Sequence, residues 1–322
     1  MDAIYQLGIR FIQALQTFSP ALDGVMNGFT FLGRIEFYLL LIPFLYWAVD
    51  RRLGVRALLL LIYTDLLSSS FKLLFHQPRP YWLGGVKALS AETSYGIPSS
   101  HASNSLAVGG YIISHVRQNW ARWLIGIVVF FIAFSRMYLG VHFPQDVLFG
   151  WLIGFAMLWA FARWAKPVRD WLDSMTLSAQ IGMGFLCSLL MVVTGFVIRA
   201  IIAGTADPVD WSGYAAEARN INQFLTLGGA VFGTYAGYAL MRQHARFSAQ
   251  GPWGKRIVRY LIGIFGLLVL YFGLDIAFAA LAPDASTLGY LLRYIRYGLA
   301  TFWATFLAPW VFLKIKLTEA EA

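Results

Sequence analysis

"NWARWLIGIVVFFIAFSRMYLGVHFPQDVLFGWLIGFAMLWAFARWAK", residues 119–166, decides the fold. Two apolar runs, 120–139 and 146–165, flank a polar knot that holds Ser135, Arg136, His142 and Asp146. A spanning helix needs about 20 mostly apolar residues, and each run has that length. The pattern repeats outward in both directions, with apolar runs near 34–50, 55–75, 98–116, 178–203, 222–241, 256–281 and 288–313. Nine such runs predict an all-α protein, a polytopic membrane helix bundle.

Composition points the same way. Of the 322 residues, 59% are hydrophobic and only 13% charged, where a soluble domain carries about a quarter charged residues. The net charge of +9 does not imply nucleic acid, because the basic residues cluster in short loops between the apolar runs. The single cysteine, Cys187, excludes an intrachain disulfide and a cysteine-based metal site. Residues 1–19 mix polar and apolar positions at helical spacing, with no basic start or small-residue cleavage site, so no cleavable signal peptide is expected. The segment up to about residue 30, interrupted at Ser19-Pro20, reads as an amphipathic interfacial helix followed by a short buried one.

If each run crosses once, the arginines and lysines at 51, 52, 56, 117, 122, 163, 166, 169, 242, 246, 255, 256, 259, 314 and 316 share one side. The excess of positive charge marks that side as cytoplasmic, which puts the C-terminus in the cytoplasm. The opposite loops are 76–97, 140–145, 204–221 and 282–287.

Three polar clusters fall at the non-cytoplasmic helix ends: Lys72 with Arg79-Pro80; Pro98-Ser99-Ser100-His101; and Ser135-Arg136 with His142 and Asp146. Taken singly, each has a plain explanation as a snorkelling lysine, an N-cap, a core histidine or a structural ion pair. Ionisable residues at membrane depth are costly and mark function, and three clusters at one level outweigh the separate explanations. Lys72, Arg79 and Arg136 form a cationic surplus that suits a phosphate. Pro98 suits the first turn of a helix, whose free N–H groups, with the Ser99 and Ser100 hydroxyls, would seat a phosphoryl group. His142 and Asp146, spaced i, i+4 around Pro144, form a base and its orienting carboxylate. His142 would attack phosphorus, and His101 would protonate the leaving oxygen. His115 and His244 fall on the cytoplasmic side, outside this scheme; for His76, in the outer loop, a substrate contact stays open.

These residues resemble the three-part signature of the type 2 phosphatidic acid phosphatase (PAP2) superfamily: Lys, six residues, Arg-Pro; Pro-Ser-Gly-His; and Ser-Arg, five residues, His, three residues, Asp. Every spacing matches, and Ser100 alone departs, standing where the family usually has glycine. The resemblance covers roughly residues 30–165. The run Ser-Arg-Met-Tyr-Leu-Gly-Val-His and the further C-terminal runs look more like sphingosine-phosphate phosphatases than like compact bacterial lipid phosphatases. It implies His142 as the nucleophile of a phosphohistidine intermediate, Asp146 as its partner and His101 as the general acid. Lys72, Arg79, Ser99, Ser100 and Arg136 would bind phosphate. No metal and no cofactor are expected.

The expected organisation is therefore residues 1–30 as amphipathic N-terminal helices, 31–168 as a PAP2-like membrane core, and 169–322 as an extension of about four transmembrane helices. The expected activity is hydrolysis of a lipid phosphomonoester or diphosphate, with the site facing the periplasm or exterior of a bacterial inner membrane. The partners are the lipid substrate and the bilayer, and the oligomeric state is not legible. A phosphotransferase using the same intermediate is the alternative; a transporter or flippase lacks repeated halves here. Arg199, Arg293 and Arg296, with Asp275, fall at the depth of the catalytic side. They read either as a charge cluster holding helices together or as a contact to a lipid headgroup.

Overall fold

Each apolar run forms a helix. The computed structural model describes residues 3–321. Its elements are α1 (Ala3–Gln16), α2 (Asp23–Phe31), α3 (Ile35–Phe44), α4 (Arg51–Phe75), α5 (Ser100–Ile113), α6 (Asn119–Tyr138), α7 (Pro144–Asp173), α8 (Leu177–Ile201), α9 (Ser212–Ala218), α10 (Asn222–His244), α11 (Trp253–Leu268), α12 (Leu274–Ala279), α13 (Thr287–Phe302) and α14 (Ala308–Lys314). π-helical turns at Leu45–Val49, Val269–Gly273 and Trp303–Leu307 extend α3 and link α11 to α12 and α13 to α14. The regular structure of the described residues is helical, apart from one isolated antiparallel bridge between Phe247 and Ala320.

Six helical segments among the described residues are long and apolar enough to cross a membrane, and the pair α2–α3, bent by 51°, adds a seventh when it is counted as one span. The sequence runs suggested nine. α5 explains part of the difference: its 14 residues rise about 21 Å, short of a hydrocarbon core about 30 Å thick. The segment α13–α14 carries Arg293, Arg296 and Lys314 among small and aromatic residues, and it is not among the six.

Two compact units interleave along the chain. The first comprises Met1–Tyr38, Tyr63–Ala162 and Val197–Asn220, and the second Leu39–Ile62, Arg163–Phe196 and Ile221–Ala322. These units differ from the consecutive division at residues 30 and 168 expected from sequence, because each is assembled from three separate stretches of chain. The long helices α4 and α7 each run out of one unit into the other. The N-terminal segment belongs with the first unit because it packs there. The Gln16 side-chain amide donates to the Lys87 and Tyr138 carbonyls at 2.9 and 3.0 Å and accepts from Lys87 N–H at 2.8 Å. Ile12 is buried, while Ile4, Leu7 and Phe11 are exposed, as befits a helix with one face on protein and one toward lipid.

In the first unit, glycines let α5 approach α7. A Cβ at Gly150 would lie 2.6 Å from the Ser99 carbonyl oxygen, and one at Gly154 2.6 Å from that of Ser103. This notch presses the start of α5 against the first turns of α7. Gly150→Val is expected to force the two helices apart, at a cost of roughly 1–3 kcal/mol for overpacking, and to lower turnover more than tenfold, since a small displacement of reacting groups is enough for that. Gly126→Ala, which meets nothing within 4 Å, is the control. Thermal unfolding and phosphate release measured on both would show the contrast; matching behaviour would refute the notch.

The second unit uses a row of small residues. Cβ atoms added at Gly229 and Gly233 of α10 would stand 2.1 Å from the carbonyl oxygens of Tyr294 and Gly298 on α13. This four-residue spacing of small residues lets membrane helices touch backbone to backbone. Nearby indole N–H groups find carbonyls: Trp47 Nε1 donates to Ala304 O and Trp303 Nε1 to Gly263 O, both at 2.9 Å. Arg259, grouped from sequence with the cytoplasmic loop charges, lies within α11, buried, and donates to the Ser248, Ala249 and Gln250 carbonyls.

Candidate active site

The ends of α4, α5, α6 and α7 converge within the first unit, and each delivers one part of the polar constellation. Lys72 lies in the last turn of α4, and Arg79 precedes the 3-10 turn Pro80–Trp82. Ser99 is the N-cap of α5, its hydroxyl accepting from Ala102 N–H at 3.5 Å, so Ser100 and His101 open the helix. Pro98 stands outside the helix, not in its first turn as the sequence suggested, because the serine takes the capping position.

α6 ends at a left-handed turn. Gly140 has φ +76°, a region open to glycine, and a Cβ there would meet the Lys87 carbonyl oxygen at 2.4 Å. The Val141 and His142 N–H groups both return to the Arg136 carbonyl at 3.1 and 3.2 Å. The chain thus doubles back and delivers His142 to the start of α7. There Asp146 caps the helix, accepting from Phe143 N–H at 2.8 Å, the third-position half of a capping box. The same carboxylate oxygen lies 3.3 Å from His142 Nδ1. The Asp146 carbonyl accepts from Ser99 N–H at 2.9 Å, which joins the two helix starts.

Backbone carbonyls hold two of the cations, Lys72 and Arg79. Lys72 Nζ donates to the Tyr95 carbonyl at 2.9 Å and faces that of Gly96 at 3.4 Å. Arg79 donates to the Ser94 carbonyl at 2.5 Å, the Ser94 hydroxyl at 2.9 Å and the Val141 carbonyl at 2.8 Å. Its Nη1 also lies 3.1 Å from His142 Nε2. Since a guanidinium only donates, Nε2 is the unprotonated nitrogen and Nδ1 carries the proton toward Asp146. Burial first, then the charges of Arg79, Lys72 and Arg136, holds the His142 imidazole well below the usual histidine range. Arg136 is wholly buried, and its guanidinium reaches the Thr30 hydroxyl and the Glu92 carboxylate. His101 Nε2 is buried without a partner.

Glu92 went unnoticed in the sequence. It sits in an irregular loop, its backbone bracketed by the Tyr81 hydroxyl at 2.8 and 3.2 Å. Burial would raise its pKa, yet Arg136, followed by Arg79, His101 and Lys72, holds it down to about 2. Glu92 is thus the carboxylate paired with Arg136. An acid in a loop beside a surplus of cations was the available signal.

Lys72, Arg79, Ser99, His101, Arg136, His142 and Asp146 are thus brought together, with Ser100 on the opening turn of α5. Arg293 pairs with Asp284 at 2.5 Å and Arg296 with Asp275, its guanidinium 4.8 Å from the Tyr297 ring centre. The sequence reading set these arginines against Asp275 alone; Asp284 supplies a second acid, so ion pairing accounts for both. Arg199 falls in the first unit, Arg293 and Arg296 in the second. His76 Nδ1 lies 3.1 Å from the Leu74 carbonyl.

Residues 53–170 match the PAP2 superfamily, and residues 225–321 match the PAP2 superfamily phosphatase transmembrane extension. The chain is 26% identical to lipid phosphate phosphatase delta of Arabidopsis thaliana over 268 residues, covering 78% of this chain and 62% of that protein. It thus spans less than two thirds of the plant relative. It is 26% identical to sphingosine-1-phosphate phosphatase 1 of Mus musculus over 327 residues, covering 90% of this chain and 71% of that protein. It is 25% identical to glucose-6-phosphatase 3 of Rattus norvegicus over 361 residues, covering 99% and 98%. With the signature residues gathered at the ends of apolar helices, the chain belongs to the PAP2 superfamily of membrane phosphatases.

Proposed function

We propose that the protein hydrolyses a lipid phosphate through a phosphohistidine at His142, without metal. The observation that carries this reading is the His142 geometry: Nδ1 faces Asp146, and the unprotonated Nε2 lies on the cationic side, 3.1 Å from Arg79. Nε2 attacks phosphorus and the bond to the leaving alkoxide breaks. His101, protonated at Nε2, gives that oxygen its proton. Asp146 stabilises the positive charge that develops on His142. Lys72, Arg79, Arg136 and the start of α5 take the charge on the non-bridging oxygens. In the second step His101 removes a proton from water, which attacks phosphorus and releases inorganic phosphate and free His142.

A site lined by lysine and two arginines repels a divalent cation, and it already supplies the charge that a metal would bring. Turnover is expected to be unchanged by EDTA; inhibition reversed by magnesium would mean different chemistry. Arg199, Arg293 and Arg296 are not carried into the phosphate site. The lipid class rests on the apolar helices around the site and on the lipid phosphate phosphatase relative. A second reading, a water-soluble phosphomonoester, draws on the full-length similarity to glucose-6-phosphatase 3. Phosphate release by purified protein from phosphatidate, a sphingoid-base phosphate, phosphatidylglycerophosphate, a polyprenyl diphosphate and a sugar phosphate separates the two. Loss of substrate without phosphate release would indicate transfer to an acceptor.

The loop charges argue that the site faces the periplasm or exterior of a bacterial inner membrane. With Cys187 replaced, a cysteine at exposed Ala88 is expected to react with an impermeant thiol reagent in intact cells. One at exposed Gln243 should react only after permeabilisation. The opposite pattern would put the site in the cytoplasm.

A further inference from the structure

Residues 202–219 lie between the two segments that match the superfamily, within neither, and the structure folds them onto the backbone that holds the phosphate-site cations. Arg219 fastens this segment, donating to Asp207 Oδ2 at 2.6 Å, to the Ile202 carbonyl at 3.0 Å and to the Thr205 carbonyl at 2.8 Å. Asp207 in turn accepts from the Tyr95 hydroxyl, at 3.1 and 3.2 Å to its two oxygens. The Tyr95 side chain is fully buried. Its ring lies edge-on to Trp82 and Trp211 at 6.0 and 6.4 Å, and Tyr214 stacks on Trp82 at 5.3 Å.

Residues 94–96 form the shelf on which both cations rest. The Tyr95 and Gly96 carbonyls take Lys72, and the Ser94 carbonyl and hydroxyl take Arg79. The shelf lies in irregular chain between the 3-10 turn Pro80–Trp82 and α5, so no helix fixes it. Its firm anchors are the Gly96 N–H bond to the Gln77 carbonyl at 2.9 Å and the Tyr95 side chain.

We infer that Asp207 and Arg219 are positioning residues of the phosphate site, acting through Tyr95 to hold the shelf and hence Lys72 and Arg79. The inference rests on the proposed phosphate role of those two cations. A merely structural cap would need the aromatic packing alone; the hydroxyl–carboxylate link matters only if the backbone position of residues 94–96 matters. Displacing that shelf displaces two cations together, and misplacement by about 1 Å costs up to 100-fold in a preorganised site.

The test uses the purified full-length protein, with orthovanadate as the probe of the phosphate site. Tyr95→Phe keeps the ring and its packing, and Asp207→Asn keeps the shape of the carboxylate. Each is expected to weaken vanadate inhibition roughly 5- to 30-fold, to raise KM more than it lowers kcat, and to leave the melting temperature nearly unchanged. The double variant should be no worse than Asp207→Asn alone, since the Tyr95 hydroxyl acts only through that carboxylate. Glu217→Gln, exposed in the same segment, should behave as wild type. Vanadate inhibition as strong as wild type in Tyr95→Phe and Asp207→Asn, or additive effects in the double variant, overturns the inference. A wild-type protein indifferent to vanadate would instead remove the phosphate-site reading beneath it.

Discussion

His142→Ala is expected to abolish turnover, lowering kcat by at least about 10³-fold, because the group that forms the covalent bond is lost. The fold should survive. His142 packs at the start of α7, and that start is held independently by Asp146 on Phe143 N–H and by Ser99 N–H on the Asp146 carbonyl. His101→Ala tests the other half of the mechanism. The first step slows sharply for a substrate with a poor leaving group and less for an aryl phosphate, whose oxygen needs no proton. Rapid quenching with a phosphorus-labelled substrate should trap an acid-labile, alkali-stable phosphoryl group in wild type and none in His142→Ala. Near-normal turnover by folded His142→Ala, or label on another residue, would sink the mechanism.

Arg136→Gln is expected to lower kcat/KM by roughly 10²- to 10³-fold, the loss seen when one fixed donor to a developing oxyanion is removed. It also leaves Glu92 without its main counter-charge in a largely buried setting. A melting temperature well below wild type should accompany the kinetic loss. Adding Glu92→Gln removes the stranded carboxylate and should recover much of the thermal stability but little of the activity, because phosphate still lacks its arginine. Glu92→Gln alone should keep most of the stability and bind inorganic phosphate more tightly, since the resident carboxylate no longer competes for Arg136. The four proteins form a double-mutant cycle read by thermal unfolding and by phosphate inhibition. If Glu92→Gln and Arg136→Gln contribute independently to stability, the pairing has no energetic weight. If Glu92→Gln binds phosphate no better, the carboxylate does not contest the anion seat.

The placement of the candidate site residues is legible in the sequence because they sit at helix ends. Pro144 signals a helix start and Ser99 an N-cap, so His142, Asp146 and His101 are placed within a turn of a predictable boundary. Glu92, Asp207 and Asp284 were not singled out. Each lies in irregular chain, where no period of apolar residues says which way a side chain points. The span count differs for a similar reason: the run through α5 is apolar, but Ser99 caps it late and leaves a helix of 14 residues.

The sequence by itself determined a helical membrane protein, from the length of its apolar runs, and the spacing of the candidate site residues around helix boundaries. Those properties are local: a run must be long enough to satisfy its backbone in hydrocarbon, and a cap needs only the residues beside it. The tertiary structure alone decided which helix ends meet, which carboxylate faces Arg136, and that Tyr95 hangs from Asp207. Such pairings join residues far apart in the chain. They depend on close approach at notches such as Gly150 and Gly154, where the absence of a side chain sets the distance between helices and no local pattern names the partner.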